Sequence, residues 1–287
     1  MRPSILDKVN VPSDINLIPE HELDQLAEEI RELIIETTSV TGGHLASSLG
    51  AVELAIAVHR ALDAPRDRII WDVGHQAYAH KILTGRRDQF QTLRQYGGIS
   101  GFPRRAESEY DVVDSGHAGT AISYGLGLVI ARDLIGENYA VAAIIGDGSM
   151  TSGVAYEAMD QAGHHISSNL LIILNDNEMS ISQNVGGIAS YLSRLRLKPG
   201  YAHLKEDLGD ILKTMPGLGD GLVRVASQVK DSVTHALVPG VLFEALGLKY
   251  VGPIDGHNIA QVEDTIREAF IVDGPVLIHA VTRKGKG

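Results

Sequence analysis

The sequence predicts an α/β protein: a doubly wound, mostly parallel sheet with helices on both of its faces. Short apolar runs such as 139–145 and 169–174 recur along the chain, and helical patterns separate them. These runs do not alternate apolar with polar residues, which is typical of parallel strands buried on both faces. No internal repeat or low-complexity linker divides the 287 residues, so we expect a single domain over 1–287.

The predicted elements alternate in the order that this architecture requires. Apolar residues at helical spacing predict helices at 23–38, 49–62, 118–134, 151–162 and 258–272. Short apolar runs predict strands at 68–73, 139–145, 169–174, 249–251 and 276–281. Gly119, Gly125 and Gly127 weaken the helix at 118–134, which indicates close packing there. The stretch 182–219 has no clean period, and we expect it to be a mobile excursion from the core.

The composition is that of an ordinary soluble protein, with 44% hydrophobic and 21% charged residues. A formal net charge of −11 argues against general nucleic-acid binding, which needs a basic face. No segment approaches about 20 uninterrupted apolar residues, and residues 1–22 contain no apolar signal core, so we expect a cytoplasmic protein without a membrane span. The absence of cysteine excludes disulfides and thiolate metal sites and leaves the redox compartment undecided.

Two polar turns follow two of the predicted strands. Gly146–Asp147–Gly148 follows the run at 139–145, and Asn175–Asp176–Asn177 follows the run at 169–174. Ligands of an open parallel sheet bind at the carboxyl ends of its strands, and a separation of about 30 residues suits one β-α-β unit. A carboxylate and an amide oxygen suit Mg²⁺, while the flanking glycines and the N-terminus of the next helix suit phosphates. The sequence therefore predicts a metal–diphosphate site with Asp147 and Asn177 as side-chain ligands, and with Met179 acting only through its main-chain carbonyl.

A simpler interpretation is that Gly146–Asp147–Gly148 is only a strand-to-helix turn, because glycine and aspartate are common in such turns. A short motif by itself does not separate the two interpretations. The second polar turn, which also follows a strand at a suitable distance, favours the metal–diphosphate site.

Longer blocks around these turns narrow the interpretation. GDG followed after about 30 residues by NDN resembles the thiamin-diphosphate motif of transketolase-like enzymes. The resemblance to the 1-deoxy-D-xylulose 5-phosphate synthase family rests on GHLASSLGAVEL (43–54), WDVGHQAYAHKILTGRRD (71–88), GGISGFPRRAESEYD (97–111), SGHAGTAIS (115–123), GDGSMTSGVAYEAM (146–159), ILNDNEMSISQNVG (173–186) and GPIDGHN (252–258). It runs from about residue 23 to residue 287, and it implies thiamin diphosphate and Mg²⁺ as cofactors.

The resemblance also implies roles for individual residues. In that family, residues matching Asp147, Asn177 and the Met179 carbonyl hold Mg²⁺. The diphosphate is contacted by residues matching His75, Gly116, His117, Ala118, Gly148, Ser149, Asn177 and Lys284. His44 matches a histidine at the reacting end of the thiazolium ring, where it acts on substrate oxygens. The family often has serine at the position of Ala118, so one hydroxyl hydrogen bond to the diphosphate is missing here.

Other polar residues have simpler interpretations. A lone histidine in a turn is more often a surface or hydrogen-bonded residue than a functional one, and this alternative applies to His44 as well. His164–His165 are predicted to lie on the surface at a helix end. Asp255–Gly256–His257 is most simply a turn, with Asn258 capping the helix that follows. Arg104–Arg105 are predicted to be solvated rather than bound to a substrate phosphate.

The implied reaction is a two-carbon transfer, in which pyruvate loses carbon dioxide and condenses with D-glyceraldehyde 3-phosphate. Family members are longer and carry two further domains, one of which binds the aminopyrimidine ring and supplies the glutamate that activates the cofactor. Nothing in this chain matches those domains. We expect either a fragment, which the end at Gly287 inside the family's KGKG run favours, or one subunit of a split enzyme. In both cases the chain alone is expected to be inactive or nearly so.

Two other functions stay open at this point. A transketolase-type subunit shares the metal motif, although WDVGHQAYAHK and NDNEMSIS favour the synthase. A non-catalytic cofactor-binding subunit that regulates or scaffolds a partner is the other alternative. Sites in this superfamily lie between domains or subunits, so we expect a homodimer or a heteromer.

Overall fold

Five parallel strands form one sheet. The computed structural model describes residues 4–165, 169–179, 186–196 and 240–287. The strands are β1 (Arg68–Trp71), β2 (Val141–Gly146), β3 (Leu170–Asp176), β4 (Lys249–Asp255) and β5 (Val276–Val281). Their order across the sheet is β1-β2-β3-β5-β4, and every neighbouring pair is parallel.

Helices connect the strands and flank the sheet. In the described ranges, and in chain order, they are α1 (Leu23–Thr41), α2 (Leu45–Leu49), α3 (Val52–Ala61), α4 (Tyr78–Lys81), α5 (Ala121–Ile135), α6 (Gly153–His164), α7 (Gly187–Arg196), α8 (Val241–Ala245) and α9 (Ile259–Ala269). Short 3-10 segments lie at Leu6–Lys8, Pro12–Leu17, Glu20–Glu22, Arg87–Thr92 and Ser149–Thr151, and Ile82–Arg86 forms a kinked turn.

The two faces of the sheet carry separate halves of the core, because alternate strand residues point to opposite sides. Ile144 and Ile173 pack with α1–α4 and α9 on one face, whereas Ile145 and Ile172 pack with α5–α8 on the other. All four side chains are fully buried, which explains why the strands are uninterrupted apolar runs. The predicted doubly wound α/β class is therefore confirmed.

Two predicted helix boundaries were wrong next to the site. The helix predicted at 49–62 is α3, which begins only at Val52, because the chain turns at Gly50 and Ala51. Leu49 is instead the last residue of the short helix α2, which was not predicted. The helix predicted at 118–134 begins only at Ala121, and Gly119 lies before it with a φ of +83°. A Cβ on Gly119 would overlap the hydroxyl of Ser152, so this glycine allows two loops to approach each other closely.

The stretch 182–219, predicted as a mobile excursion, lies mostly outside the described residues. Within it the structure describes 186–196, where Gly187–Arg196 forms α7. Leu192 and Leu195 are buried in the second half of the core. The helical pattern of α7 is too short to stand out within the longer stretch. None of the described helices is long and apolar enough to cross a membrane.

Two glycines of α5 give a matched test of packing. An ideal Cβ on Gly125 would lie 2.8 Å from Cδ1 of the buried Leu170, whereas Gly127 has open space around it. We expect Gly125→Val to destabilise the protein by about 1–3 kcal/mol through overpacking. We expect Gly127→Ala to stabilise it by about 0.5–1 kcal/mol through helix propensity. Urea unfolding followed by circular dichroism measures both, and an unchanged stability for Gly125→Val would show that α5 does not pack tightly on the sheet.

Candidate cofactor-binding site

The two polar turns meet at the carboxyl ends of β2 and β3. Gly146 pairs in register with Asn175. The main-chain N–H of Asp147 donates to the carbonyl of Asn175 at 3.2 Å. The Asp147 carboxylate accepts hydrogen bonds from the N–H groups of Asn177 and Gly148. The aspartate of the first turn and the asparagine of the second are therefore in direct contact.

A second carboxylate, that of Asp176, lies beside the buried Asp147. Burial, followed by the repulsion and hydrogen bond from Asp176, raises the pKa of Asp147 to about 6. His279 Nε2 lies 2.8 Å from Oδ2 of Asp176, and His279 Nδ1 lies 2.7 Å from the hydroxyl of Tyr250. A cation beside Asp147 would offset this concentration of negative charge, so the electrostatics suit a divalent metal.

The predicted metal ligands are oxygen atoms that contribute little charge. Among the residues that the structure describes, no group of three histidine, cysteine, aspartate or glutamate side chains could hold a metal. Asp147, Asn177 and the Met179 carbonyl would instead leave most of the shell of Mg²⁺ to water and phosphate oxygens, as this ion prefers. Asn177 Oδ1 accepts the N–H of Met179 at 3.2 Å, which leaves a second lone pair on that oxygen for a metal.

A cavity of about 470 Å³ opens beside the two turns. The predicted site residues that line it are His44, His75, Ala118, Asp147, Gly148, Ser149, Asn177, Met179 and Lys284. Gly116 and His117 were predicted to contact the cofactor diphosphate, but they are exposed and do not line the cavity. The structure thus brings most of the predicted residues together, from both ends of the chain.

Three lining residues were not singled out from the sequence: Ser47, Val73 and Gln76. Gln76 is 1% exposed, and its Oε1 accepts a hydrogen bond from Asn175 Nδ2 at 2.6 Å. Its Nε2 donor is buried without a protein partner, an arrangement that a phosphate oxygen in the cavity would satisfy. Val73 has a φ of +59°, an unusual conformation for a β-branched residue and one that is often found at functional sites. For Val73 and Gln76, the only signal in the sequence was that they lie close to His75 along the chain.

His44 and His75 lie side by side at the cavity, with ring centroids 6.0 Å apart. Burial, followed by the nearby charges of His44 and Lys284, lowers the pKa of His75 to about 4, although Asp72 opposes the shift. Burial and then Arg94 lower the pKa of His44. Both rings are therefore neutral near pH 7, and each has a buried Nδ1 without a protein hydrogen-bond partner. A neutral imidazole can donate one hydrogen bond to a bound anion and accept another.

A larger and more open cleft of about 760 Å³ lies elsewhere on the surface. Four carboxylates line it, those of Glu20, Asp24, Asp255 and Glu263, and Lys286 lines it as well. These carboxylates would repel a diphosphate. The smaller cavity, with its oxygen ligands and with Lys284, is the better match to a metal–diphosphate group.

The remaining polar residues agree with their simpler interpretations. His164–His165 are exposed at the end of α6. Arg104–Arg105 are exposed, and Arg105 pairs with Asp114 at 3.0 Å. Asn258 caps α9 by accepting the N–H of Gln261 at 3.0 Å.

Several solved structures that share this fold are transketolases. The chain is similar to transketolase from Leishmania mexicana, with a TM-score of 0.65 and 20% identity over 92% of this chain and 37% of that one. For transketolase from Campylobacter jejuni the TM-score is 0.64, at 20% identity over 94% and 39%. These likenesses define a transketolase-like fold.

The chain belongs to the 1-deoxy-D-xylulose-5-phosphate synthase family, whose model matches residues 6–282. It is 51% identical to the synthase of Syntrophomonas wolfei over 99% of this chain and 44% of that protein. It is 53% identical to the synthase of Carboxydothermus hydrogenoformans over 99% and 45%. The chain spans less than half the length of these relatives. The family expected from the motifs is therefore confirmed.

The raised pKa of Asp147 predicts a pH-dependent stability in metal-free buffer. The folded-state pKa of about 6 lies above the ordinary value of 3.8, so folding favours the neutral carboxyl group. Stability is therefore lost as the pH rises from 4 through 6. We expect Asp147→Asn to raise the stability of the metal-free chain at pH 7.5 by on the order of 1–3 kcal/mol, and to change it little near pH 4. Thermal unfolding in the presence of a chelator measures the effect.

Asp160→Asn is the matched control, because Asp160 is exposed on α6, the helix that follows the same turn. Its stability should follow that of the unaltered chain at both pH values. A loss of stability in Asp147→Asn at pH 7.5 would contradict the charge repulsion described here.

Proposed function

We propose that this chain is the diphosphate- and metal-binding part of a 1-deoxy-D-xylulose-5-phosphate synthase. The reaction would condense pyruvate with D-glyceraldehyde 3-phosphate with loss of carbon dioxide. The observation that carries the proposal is the cavity that Asp147, Asn177 and Lys284 line together. It combines oxygen ligands for Mg²⁺ with a cation for a diphosphate, and the chain's family supports the choice of thiamin diphosphate.

The polar groups of the cavity would divide the binding of the cofactor between them. Asp147, Asn177 and the Met179 carbonyl would hold Mg²⁺, and Lys284, His75, Ser149 and Gln76 would donate to the diphosphate. Thiamin diphosphate, when bound, supplies a nucleophilic carbon and takes up the electron pair released as carbon dioxide leaves pyruvate. His44, neutral at pH 7, holds or moves a proton at a substrate oxygen.

The proposal includes a second portion of protein. The curated relatives are single chains more than twice as long as the part that this chain matches, since it covers 44–45% of them. We propose that a second domain or subunit supplies the activating glutamate, that the assembly is a dimer or heteromer in the cytoplasm, and that the chain alone has little or no activity.

Binding of the cofactor is the direct test. We expect calorimetry to detect thiamin diphosphate binding that depends on Mg²⁺. Asp147→Ala and Asn177→Ala should each weaken it by about 10- to 100-fold, because each removes a metal ligand. Asp160→Asn should bind as the unaltered chain does. Affinity that does not depend on Mg²⁺, or that survives Asp147→Ala, would contradict the site.

Activity separates a synthase from a transketolase-type enzyme. We expect this chain, joined to the remaining portion of the Carboxydothermus hydrogenoformans relative, to release carbon dioxide from pyruvate when D-glyceraldehyde 3-phosphate is present. The chain alone is the control and should release little or none. Turnover with a ketose phosphate donor but not with pyruvate would favour the transketolase-type alternative.

Ala118 offers a test of gained affinity. It lines the cavity at a position where the family often has serine, so Ala118→Ser would add a hydroxyl donor to the diphosphate. We expect thiamin diphosphate to bind about 3- to 10-fold more tightly to this variant, as measured by the same calorimetry. Ala118→Val, which adds bulk without a donor, is the control and should not tighten binding.

A further inference from the structure

The segment that follows β5 carries Lys284 to the cavity, and main-chain contacts hold it against α2 and the turn that follows α2. Gly285 N–H donates to the carbonyl of Ala46 at 2.7 Å. An ideal Cβ on Gly50 would lie 2.8 Å from the carbonyl oxygen of Arg283 and 3.2 Å from the Cα of Lys284. Only a residue without a side chain allows this approach. The position of Lys284 therefore depends on how its own backbone is held.

His257 contacts the main chain of this segment directly. Its Nε2 lies 2.8 Å from the main-chain nitrogen of Arg283, which can only donate. Nε2 is therefore the acceptor, and the proton of the neutral ring lies on Nδ1. That nitrogen is 3.1 Å from Oε2 of Glu53, to which it donates. The backbone of Arg283 thus fixes the tautomer of His257.

Glu53 is a buried carboxylate on α3, and three positively charged or hydrogen-donating side chains surround it. Arg31 forms an ion pair with its Oε1 at 2.5 Å, Lys286 contacts the same oxygen at 2.8 Å, and His257 contacts Oε2. Burial by itself raises the pKa of Glu53, but hydrogen bonds from His257, Arg31 and Lys286 outweigh it and lower the pKa to about 2. Glu53 is therefore ionised near neutral pH.

The Asp255–Gly256–His257 turn aims the imidazole at this segment. Asp255 Oδ1 accepts the N–H of His257 at 2.9 Å, and Gly256 N–H donates to the carbonyl of Val281 at 2.8 Å. A Cβ on Gly256 would lie 3.0 Å from that same carbonyl, so the turn lies directly on the end of β5. The turn thus has a use beyond joining β4 to α9.

We propose that Glu53 and His257 form a clamp that positions Lys284 toward the diphosphate of the cofactor, an inference that rests on the proposed function. Glu53 fixes His257, His257 fixes the backbone of Arg283, and Lys284 is the next residue. Lys284 lines the cavity and lies close enough to His75 to lower the pKa of that ring. Neither Glu53 nor His257 lines the cavity, so both are positioning residues.

Hydrogen exchange tests the clamp without any ligand. The side-chain amide of asparagine reaches about as far as Nδ1 of histidine, and that of glutamine about as far as Nε2. His257→Asn therefore keeps the bond to Glu53 and loses the acceptor for Arg283, whereas His257→Gln keeps that acceptor. We expect the amide of Arg283 to exchange at least about tenfold faster in His257→Asn and to stay protected in His257→Gln, measured by NMR. Equal protection of Arg283 in the unaltered chain and in His257→Asn would overturn the clamp.

A double-mutant cycle on cofactor affinity tests the link to Lys284. We expect Lys284→Met to weaken Mg²⁺–thiamin diphosphate binding by about tenfold or more through loss of a charged donor. We expect His257→Asn to weaken it several-fold, and the double variant to bind no more weakly than Lys284→Met alone. Losses that multiply in the double variant would show that His257 does not act through Lys284, and would overturn the inference.

The two measurements separate this inference from the proposed function. If the unaltered chain failed to bind Mg²⁺–thiamin diphosphate, the proposed function would fail, and the cofactor half of this inference with it. The exchange of the Arg283 amide would still decide the clamp. If the chain bound the cofactor but the losses of affinity in His257→Asn and Lys284→Met multiplied in the double variant, only the inference would fail.

Discussion

The parallel pairing of β2 with β3 is the constraint on which the site depends. Their register places Gly146 beside Asn175, and a slip of one residue would turn every side chain of a strand to the opposite face. Neighbouring contacts reinforce the register, since Thr282 donates its N–H to the Asp176 carbonyl at 2.9 Å and its hydroxyl to Asn175 Oδ1 at 2.5 Å. Gln76 accepts from the amide nitrogen of the same asparagine. Asn175 does not line the cavity itself, but it joins the ends of β2 and β3 to Gln76, which follows β1, and to Thr282, which follows β5.

Charge is distributed unevenly around the cavity. The buried carboxylates of Asp147 and Asp176 lie together at the strand ends, and Lys284 arrives from the segment after β5. Such an arrangement favours a ligand that carries both a cation and an anion, such as a metal diphosphate. The formal net charge of −11 gives no hint of it, because a binding site depends on a few local groups and not on the average.

The sequence was sufficient for the fold class because buried parallel strands leave long apolar runs. It also indicated that the two polar turns meet, because both turns follow parallel strands and therefore lie at the same edge of the sheet. Helix boundaries were less predictable. The break between α2 and α3 at Gly50 reflects contact with Arg283, which is distant in sequence. Gln76 was missed because its contacts are also distant in sequence: it accepts a hydrogen bond from Asn175 and lines the cavity. A turn such as Asp255–Gly256–His257 is recognisable locally, but its partner Glu53 lies about two hundred residues away along the chain.

The strand order has a consequence for how the polypeptide folds during synthesis. β5 lies between β3 and β4, although β4 precedes it along the chain, and in the described part of the sheet β4 pairs only with β5. While the ribosome is still making β5, β4 has no neighbour, and its unpaired backbone edge is open to association with other chains. Insertion of β5 both closes that gap and brings Thr282 and Lys284 to the strand ends. The cavity therefore forms only after β5 has joined the sheet.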